Sequence, residues 1–384
     1  MNKCISEVLY STNQENRRIW WESYVESNHY DLKNFFHEWL IYIPVPPSSQ
    51  HTTGNPDSPG YYIEKWDWLA NTESGLKLTA HDCDFRAWFV DFLNAHGEYV
   101  KTSVDLLPPS GQTAIESWYT FPGTEAHPFD INDYIKPPGG FASFNDFFLR
   151  KVKSGLRPVD SSDIVSPSDG GIFFLIDPRQ ENQRNLYDGV ELPGKYNDQF
   201  TITDGFPYWE HFVGGAVLDI LLWFTDYHHF FAPVTGTVVC MADYAGSYNY
   251  DFNNFNAKVP TAAAPPQESD RVGWYLKFAK HRRFVWIIQT PTMGLVAMSA
   301  IGFWGVGSIV TRDNGDGTWM TGARAVMPGD KVKKGDYLGH FGYGGSSIVL
   351  AFEKNRNIDF LVGSSPDHPR LIKAGGSIGN YDTR

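Results

Sequence analysis

The spacing of hydrophobic residues predicts a helical region in the first third of the chain. From Thr79 to Leu107, apolar side chains recur every three and four residues, which is the period of one helix face. Pro108-Pro109-Ser110-Gly111 is expected to end that helix, and Ala114 to Tyr119 predicts a second, weaker one. We interpret most of the aromatic residues here as core packing. The recurring positions are Phe85, Trp88, Phe89, Phe92 and Leu93.

Beyond Arg157-Pro158 the pattern changes to short strands. Runs of β-branched, apolar and aromatic residues are bounded there by Gly, Pro or Asp, which is typical of strands. Because these runs follow one another without helices between them, the pattern disfavours an all-parallel βαβ fold and favours mainly antiparallel strands. The sequence therefore predicts an α+β fold. The predicted strands cover 172–176, 237–241, 284–289, 295–300 and 347–352, with a hairpin over 327–336.

Turn-rich segments divide the chain. A Pro- and Ser-rich stretch over 44–49 reads as a linker, and Pro137-Pro138-Gly139-Gly140 marks a second boundary. We therefore predict a helical N-terminal domain over residues 1–136 and a β-rich domain over 137–384. Ser143 is a candidate N-cap of a short helix at the start of the second domain. The polar, Ala- and Pro-rich stretch Asn249 to Asp270 is expected to be an exposed excursion.

Composition and charge narrow the class of protein. Aromatic residues make up 16% of the 384 residues, and with 36 Gly and 24 Pro they fit many short strands and turns. The formal net charge of −12 argues against a nucleic-acid-binding protein, which would usually show a basic face. It also argues against a purely electrostatic attachment to anionic lipid.

Cysteine usage and hydropathy suggest an intracellular protein. The three cysteines, Cys4, Cys83 and Cys240, are far apart and form no CxxC pair, which excludes a disulfide framework and a cysteine-rich zinc site. A reduced compartment fits best, and we expect a cytoplasmic location. The first thirty residues hold no continuous apolar core, so no signal peptide is predicted. The charge-free run Phe284 to Thr311 is interrupted by polar residues, Pro and Gly, so we expect buried strands rather than stable membrane insertion.

Two short segments carry residue types that could take part in catalysis. Ser168 and Asp169 precede two glycines, which on its own predicts a tight turn. His228 and His229 are adjacent and lie close to Asp226. Neighbouring side chains on a strand face opposite sides, so at most one of the two histidines readily points into a given site. Histidine can act as a general base near neutral pH, and a surface pair beside a turn is the alternative.

A third segment, Phe341 to Ser347, has two glycines directly before two serines. Gly344 and Gly345 lack Cβ atoms, so they can adopt strained dihedrals and leave the Gly345 carbonyl open to attack. The Ser346 hydroxyl is then a candidate nucleophile that needs a base and oxyanion donors, and Ser347 is a further candidate contact. A flexible turn before a strand is the alternative.

Six short motifs follow one another in order between about Phe141 and Lys354. They are Ser143 to Arg150, Gly155 to Pro158, Ser166 to Gly170, Phe212 to Gly215, Asp226 to His228, and Gly344 to Ser347. Taken together they resemble the phosphatidylserine decarboxylase family, whose members carry a pyruvoyl group made from their own chain. The helical front part resembles that of the soluble branch of this family, which includes fungal decarboxylases of tryptophan and related amino acids.

The resemblance implies that the chain cuts itself between Gly345 and Ser346. Ser346 would attack the Gly345 carbonyl to give an ester, and elimination followed by hydrolysis would leave a pyruvoyl group on the new amino terminus. The products would be chains 1–345 and 346–384. The pyruvoyl carbonyl would form a Schiff base with the substrate amine and act as the electron sink when CO₂ leaves. No metal and no pyridoxal phosphate are expected.

The resemblance also implies roles for two further residues. Asp169 corresponds to the family's acid, which orients and polarises a histidine in the manner of a triad. His228 matches the family's first histidine, which is implicated in substrate handling or protonation. The family pattern usually has a second histidine three positions later, where this sequence has Phe231. Phenylalanine cannot accept a proton, so the expected acid–histidine–serine relay lacks its middle member.

Three interpretations of Phe231 remain open. His229 swings into the site, the substitution traps an uncut precursor, or another base such as His340 or water takes over. We predict impaired processing, which quantitative two-chain product on a denaturing gel would contradict.

The expected activity is that of a pyruvoyl-dependent decarboxylase acting on a small-molecule substrate. An aromatic amino acid, tryptophan first, is favoured because the aromatic content could line a stacking pocket and because no membrane features are evident. Phosphatidylserine is the alternative substrate. A processing-deficient or non-catalytic binding relative is a second alternative. Metal catalysis through Asp226, His228 and His229 is disfavoured because no HxH or HExxH spacing is present.

Overall fold

The computed structural model describes most of the chain between residues 32 and 382. Its described residues are 32–48, 58–70, 75, 78, 82–124, 127–177, 185–187, 190–192, 208–212, 214–244, 282–303, 308–311, 326–363 and 371–382. The predicted excursion at Asn249 to Asp270 and the first thirty residues lie outside them. The described part mixes helices with antiparallel strands, which confirms the α+β prediction.

The helices are concentrated in the first 150 residues. The main ones are α1 (Leu32–Leu40), α2 (Tyr61–Ala70), α3 (Cys83–Tyr99) and α4 (Pro109–Ser117). Two short helices follow, α5 (Phe144–Phe148) and α6 (Trp209–Phe212). Single 3-10 turns cover Val104–Leu106 and Ile131–Asp133. No helix among the described residues is long and apolar enough to cross a membrane.

The predicted first helix is shorter than expected at both ends. Asp82 caps α3, because its carboxylate accepts the Phe85 backbone N–H at 2.8 Å. At the far end, the Val104 N–H donates to the Ala142 carbonyl at 2.8 Å instead of continuing the helix. Pro109, which was expected to end a helix, opens α4, where its fixed φ suits the first turn.

Aromatic side chains from three helices form the core of the front region. The ring of Phe92 lies 5.1 Å from that of Phe36 and 5.0 Å from that of Trp39, and Phe89 lies 5.1 Å from Trp66. Phe89 and Phe92 are buried, as predicted, whereas Trp88 is 43% exposed. Phe85 and Leu93 are partly buried and pack against the same cluster. The packing interpretation therefore holds for four of the five residues, and the Trp88 ring, although exposed, lies 4.9 Å from that of Phe36.

The second part of the described chain is built from short antiparallel strands. A ten-stranded sheet has the order β11-β7-β8-β9-β13-β5-β2-β3-β4, with β15 paired to β2. Two three-stranded sheets have the orders β10-β12-β6 and β1-β16-β14. The strands are β1 (Ile164–Val165), β2 (Gly170–Ile176), β3 (Asn185–Tyr187), β4 (Val190–Leu192), β5 (Val217–Leu222), β6 (His229–Phe231), β7 (Gly236–Tyr244), β8 (Arg282–Gln289), β9 (Leu295–Phe303), β10 (Ile309–Thr311), β11 (Lys331–Val332), β12 (Tyr337–Phe341), β13 (Gly345–Phe352), β14 (Ile358–Phe360), β15 (Leu371–Ile372) and β16 (Ser377–Tyr381).

The charge-free run from Phe284 to Thr311 forms most of β8, then β9 and β10. β8 and β9 pair along their whole length, from Arg282 opposite Gly302 to Gln289 opposite Leu295. The interruption at residues 290–294 is the turn between them, closed by a 2.9 Å bond from the Thr290 N–H to the Gly294 carbonyl. The prediction of buried strands joined by a turn is confirmed.

One hydrophobic core joins the large sheet to the two small ones. Ile220, Ile348 and Met298 from the large sheet belong to the same cluster as Phe230 of β6 and Phe341 of β12. The small sheet β10-β12-β6 therefore packs on the face of the large sheet to which these side chains point.

A second aromatic cluster includes residues on both sides of the predicted boundary at 136/137. Trp118 and Phe129 come from the front part, and Phe147 and Tyr227 come from the part beyond it. The Trp118 and Phe147 rings lie 5.1 Å apart. The division into domains 1–136 and 137–384 stays a prediction, and these contacts show that side chains pack across it.

Candidate active site

Strand β13 places the predicted scissile bond inside the ten-stranded sheet. Gly345 pairs with Phe303 of β9, and Ser346 lies between Gly302 of β9 and Leu222 of β5. The Ser346 side chain is fully buried, and its hydroxyl has no hydrogen-bond partner within the described residues. Because Gly302 has no side chain, this flank of Ser346 is formed by backbone. The hydroxyl is therefore uncommitted and next to the Gly345 carbonyl in sequence.

Ser346 and Ser347 face opposite sides of the sheet, because side chains alternate along a strand. Ile348 and Leu350 lie in the core beneath the small sheet β10-β12-β6, so Ser346, which alternates in step with them, faces the same way. Ser347 faces the other side, where its hydroxyl donates to a carboxylate oxygen of Asp219.

The loop before the predicted scissile bond has a backbone conformation that favours glycine, and it is anchored by packing. Gly344 is buried and has a φ of 139°, which L-residues rarely adopt, as expected for one of the two glycines. The Tyr343 hydroxyl donates to the Pro59 carbonyl, and its ring lies 5.2 Å from that of Phe144. The front region of the chain therefore holds the loop that leads into the bond between Gly345 and Ser346.

Asp169 lies at the end of a buried turn that enters β2. The Ser166 hydroxyl donates to the Ser168 carbonyl at 2.7 Å, which closes the turn. Ser168 is fully buried, and its own hydroxyl has no partner within the described residues. Asp169 is also fully buried. The tight turn expected from the sequence is present and directs Asp169 into the interior.

Asp169 binds cations rather than a histidine. Arg157 donates from Nε to Oδ1 at 2.8 Å and from Nη2 to Oδ2 at 2.6 Å. The Ala374 N–H donates to Oδ1 at 2.9 Å, and Lys373 Nζ lies 3.4 Å from Oδ2. The expectation that Asp169 orients an imidazole is therefore not met among the residues that the structure describes. The Arg157 guanidinium donates one hydrogen bond to each oxygen of the Asp169 carboxylate, which is a bidentate ion pair.

The turn of Asp169 and the predicted scissile bond lie two strands apart. Gly171 of β2 pairs with Leu221 of β5, which in turn pairs with Ser347 of β13. Adjacent strands are ~4.8 Å apart, so Gly171 and Ser347 are roughly 10 Å apart across the sheet. The fold therefore brings the acid and the serine to the same end of one sheet.

His228 is held in one tautomer inside the protein. Its Nδ1 lies 3.0 Å from the Asp226 carbonyl oxygen, which can only accept, so Nδ1 carries the proton. The guanidinium of Arg150 donates to the same oxygen at 3.1 Å. Nε2 of His228 is buried and has no partner within the described residues. Burial and then the Arg150 charge lower the pKa of His228 to about 3, so the ring is neutral and Nε2 has a free lone pair.

His229 belongs to a different polar group. Its Nδ1 lies 3.3 Å from the Tyr337 hydroxyl, and its Nε2 lies 3.3 Å from the Leu149 carbonyl oxygen. The same hydroxyl lies 2.9 Å from Nδ1 of His340. Burial lowers the pKa of His229 well below its ordinary value. The two adjacent histidines therefore have separate surroundings, as expected from alternation, but both are buried, so the surface-pair alternative is wrong.

Phe231 lies beside the turn that precedes Asp169. Its N–H donates to the Pro167 carbonyl at 2.8 Å. Its ring is half-buried and lies 5.7 Å from the Tyr337 ring and 6.2 Å from the Tyr227 ring. The position expected for a second histidine is thus close to the acid's turn but carries a ring that cannot accept a proton.

A cavity of about 780 Å³ separates the front helices from the small sheet. Gly342 and Tyr343, which lead to the scissile bond, form part of its wall. Trp39 and Phe141 contribute aromatic surface. The polar and charged lining includes Lys101, Asn145, Asp146, Arg150, Lys151 and His340. The volume is that of a typical small-molecule site.

Two buried acids have unusual protonation. Burial raises the pKa of Asp219 to about 7, and burial together with nearby Asp169 raises the pKa of Asp226 to about 7.

Asp219, Arg157 and Arg150 had no predicted role. A lone acid in the apolar run Val217–Leu222 was the available signal for Asp219.

His, Cys, Asp and Glu side chains in the described ranges form no group of three that could hold a metal ion.

Comparisons with known proteins agree on one family. The family model described as phosphatidylserine decarboxylase matches residues 144–380 of the chain. A phosphatidylserine decarboxylase proenzyme of Fusobacterium nucleatum is 29% identical over 266 residues, which are 65% of this chain and 74% of that protein. One from Clostridium kluyveri is 29% identical over 258 residues, 65% of this chain and 76% of that protein.

A yeast relative is much longer. Phosphatidylserine decarboxylase proenzyme 3 of Schizosaccharomyces pombe is 31% identical over 264 residues, which are 65% of this chain but 23% of that protein. The chain thus matches most of each bacterial relative and about a quarter of the yeast one. The region that the family model matches, residues 144–380, contains the Asp169 turn, both histidines and β13.

Proposed function

The chain belongs to the phosphatidylserine decarboxylase family of pyruvoyl-dependent carboxy-lyases, and we propose that it decarboxylates phosphatidylserine after cutting itself at Gly345–Ser346. The observation that carries the proposal is the Ser346 hydroxyl, which is buried, has no partner among the described residues and directly follows Gly344 and Gly345, the first of which has a φ of 139°. Ser168 and Ser299 also have buried hydroxyls without a partner among the described residues, so it is the pair of glycines directly before it that sets Ser346 apart.

Self-cleavage is an internal acyl shift. The Ser346 Oγ forms a bond to the Gly345 carbonyl carbon, the bond from that carbon to the Ser346 nitrogen breaks, and the hydroxyl proton ends on that nitrogen. Loss of the Ser346 α-proton then expels the Gly345 carboxylate, and water replaces the nitrogen, which leaves as ammonia. Chains 1–345 and 346–384 result, and the second begins with a pyruvoyl group.

His228 is the group that we assign to take the proton from Ser346. Its Nε2 is a buried lone pair without a partner, and the Ser346 Oγ is a buried hydroxyl without an acceptor, both within the described residues. Phe231 cannot serve. A histidine whose pKa is lowered to about 3 is a weak base, so cleavage is expected to be slow. This agrees with the impaired processing predicted from the sequence.

The surroundings of Ser346 fit a pyruvoyl group. The group would replace the Ser346 side chain, opposite which the neighbouring strand offers only the Gly302 backbone. When present, it supplies the electron sink for loss of CO₂ from a bound amine. The protein's own residues hold β13 in the sheet, keep the His228 ring neutral and bury Ser346 away from water.

Phosphatidylserine is supported over an aromatic amino acid by the relatives, each of which is a phosphatidylserine decarboxylase proenzyme. The cavity adds Lys101 and Lys151, cations that suit the phosphate and carboxylate of that headgroup. Trp39 and Phe141 in the same cavity favour tryptophan as the second candidate, because aromatic walls can stack on an indole ring.

The test combines mass and CO₂ release. Intact mass of the full chain after purification should show fragments 1–345 and 346–384, and the Ser346→Ala variant should stay whole. The parent should release CO₂ from phosphatidylserine in mixed micelles and not from tryptophan. Release from tryptophan alone would transfer the assignment to the amino acid. A parent that stays whole and releases no CO₂ from either compound would identify a non-catalytic relative.

A further inference from the structure

A single acid interrupts the apolar strand β5. Asp219 stands in the run Val217–Leu222, whose other residues are Val, Ile and Leu. Its side chain is fully buried, and no lysine, arginine or histidine pairs with it within the described part of the chain. Burying a carboxyl without a cation costs stability, so its presence calls for a specific contact.

That contact is with the residue immediately after the predicted nucleophile. The Ser347 hydroxyl donates to Oδ1 of Asp219 and also lies 3.2 Å from the Ile220 carbonyl oxygen. Oδ2 of Asp219 has no partner in the described ranges. Among the residues that the structure describes, the Asp219 carboxylate therefore makes one hydrogen bond to a side chain, and that side chain belongs to β13.

We propose that Asp219 is a positioning residue for the self-cleavage, acting through Ser347 to orient Ser346 for attack on the Gly345 carbonyl. The inference rests on the proposed function. Ser347 and Ser346 share a peptide unit and point to opposite faces, so fixing the Ser347 side chain fixes the rotation of the strand about its own axis. That rotation directs the Ser346 Oγ, and small errors in the direction of attack are costly in rate.

The same contact outlasts the cleavage. Ser347 becomes the residue that follows the pyruvoyl group, and its link to Gly345 through Ser346 is lost. Pairing of β13 with β5 and β9 continues from Ser347 to Ala351. The Asp219–Ser347 contact then lies at the cut end of the strand, where backbone pairing alone is weakest because ends fray.

Four variants of the full chain separate a positioning role from packing. Asp219→Val and Ser347→Ala remove one partner each. Asp219→Asn and Ser347→Thr keep an acceptor oxygen and a hydroxyl, respectively, in place. Ser299→Ala is the matched control, because Ser299 is a buried serine on β9, faces the same side as Asp219, and has a hydroxyl without a partner in the described residues.

The readouts are the rate of appearance of fragment 346–384 by intact mass, with and without hydroxylamine, and the unfolding midpoint. Hydroxylamine cuts the ester at Ser346, so it reports formation of the ester separately from its elimination. We expect cleavage to slow by roughly tenfold or more in Asp219→Val and Ser347→Ala, as for a lost orienting contact, and the double variant to be no slower than either. Asp219→Asn and Ser347→Thr should recover most of the rate.

The outcomes separate this inference from the proposed function. A parent that never cleaves, even with hydroxylamine, overturns both. A parent that cleaves, with Asp219→Val and Ser347→Ala cleaving equally fast, overturns the positioning role alone. Slowing by Ser299→Ala to the same extent, or slowing that only follows the unfolding midpoint, also overturns it. Slow cleavage in the two truncations, with rescue by Asn and Thr and normal cleavage in the control, supports it.

Discussion

Arg157 and Asp169 form a two-point ion pair inside the protein, with Nε–Oδ1 at 2.8 Å and Nη2–Oδ2 at 2.6 Å. Asp169 is fully buried, and the Arg157 side chain is 11% exposed. Breaking a buried pair leaves an uncompensated charge. The pair therefore holds the turn that enters β2, and both oxygens of the Asp169 carboxylate are committed to it.

Replacing Arg157 should destabilise the fold. We expect Arg157→Gln to lower the free energy of unfolding by about 3–5 kcal/mol, because the Asp169 carboxylate stays buried without its main cation. Chemical denaturation monitored by tryptophan fluorescence measures the change. Arg356→Gln is the control, since the Arg356–Glu353 pair is partly exposed (32% and 19%) and should contribute about 1 kcal/mol or less. Equal losses in the two variants would show that Asp169 does not depend on Arg157.

Restoring a histidine at position 231 should accelerate cleavage. In Phe231→His the new imidazole would lie beside the Pro167–Asp169 turn and provide a base that the parent lacks there. General-base catalysis typically contributes ~10²–10⁴-fold, so the half-time of the two-chain product should shorten by about 100-fold or more. A time course on a denaturing gel measures this. Phe231→Leu, which adds no base, should cleave like the parent, and an unchanged rate in Phe231→His would contradict the prediction.

Removing the proposed base should stop what cleavage remains. His228→Gln keeps a hydrogen-bonding side chain but cannot take a proton, and we expect the rate of fragment formation to fall by about 100-fold. Intact mass over several days measures it. His37, an exposed residue of α1, provides the control variant His37→Gln, which should cleave at the parent rate. A normal rate in His228→Gln would transfer the role to the His229–Tyr337–His340 group.

Asp219 should make stability depend on pH. Burial raises its pKa to about 7 in the folded protein, well above the value of about 3.9 expected in an unfolded chain. Its stabilising contribution is therefore fully present below pH ~4 and is lost as the pH rises through about 7. The quantity to measure is the unfolding free energy of the uncleaved Ser346→Ala chain minus that of the Ser346→Ala chain that also carries Asp219→Asn. This difference should decrease as the pH is raised from about 4 to about 7. Both chains contain Asp226 and the buried histidines, so the contributions of these groups to the pH dependence cancel in the difference. A difference that stays constant with pH would count against this protonation of Asp219.

Local chemistry explains what the sequence predicted well. The Ser143 hydroxyl accepts the Asp146 N–H at 3.1 Å at the start of α5, as the capping rule requires. Gly344 adopts a positive φ directly before the scissile bond, where only glycine is comfortable. Both features depend on neighbours within a few residues, so the pattern of residue types was sufficient to find them.

Contacts between distant segments explain what it did not predict. The motif resemblance placed a histidine next to Asp169, whereas Arg157 and Lys373 bind that acid, and Lys373 is 204 positions away in sequence. Tyr343 reaches Pro59, and Asp219 reaches Ser347, through the packing of the whole fold. Nothing in the spacing of these residues indicates that they meet. The sequence also favoured an aromatic amino acid as the substrate, whereas we propose phosphatidylserine. Aromatic composition alone does not distinguish residues of a packed core from residues that line a stacking pocket.

All of strand β13 except Gly345 belongs to the predicted fragment 346–384, yet the strand lies between β9 and β5, both of which belong to the larger fragment. The shorter piece also supplies β14, β15 and β16, and β15 pairs with β2. Scission would therefore leave two interwoven polypeptides that sediment and elute as one particle. They would part only when the sheet itself came undone, so a native gel would report no change while every molecule in the sample had already been cut.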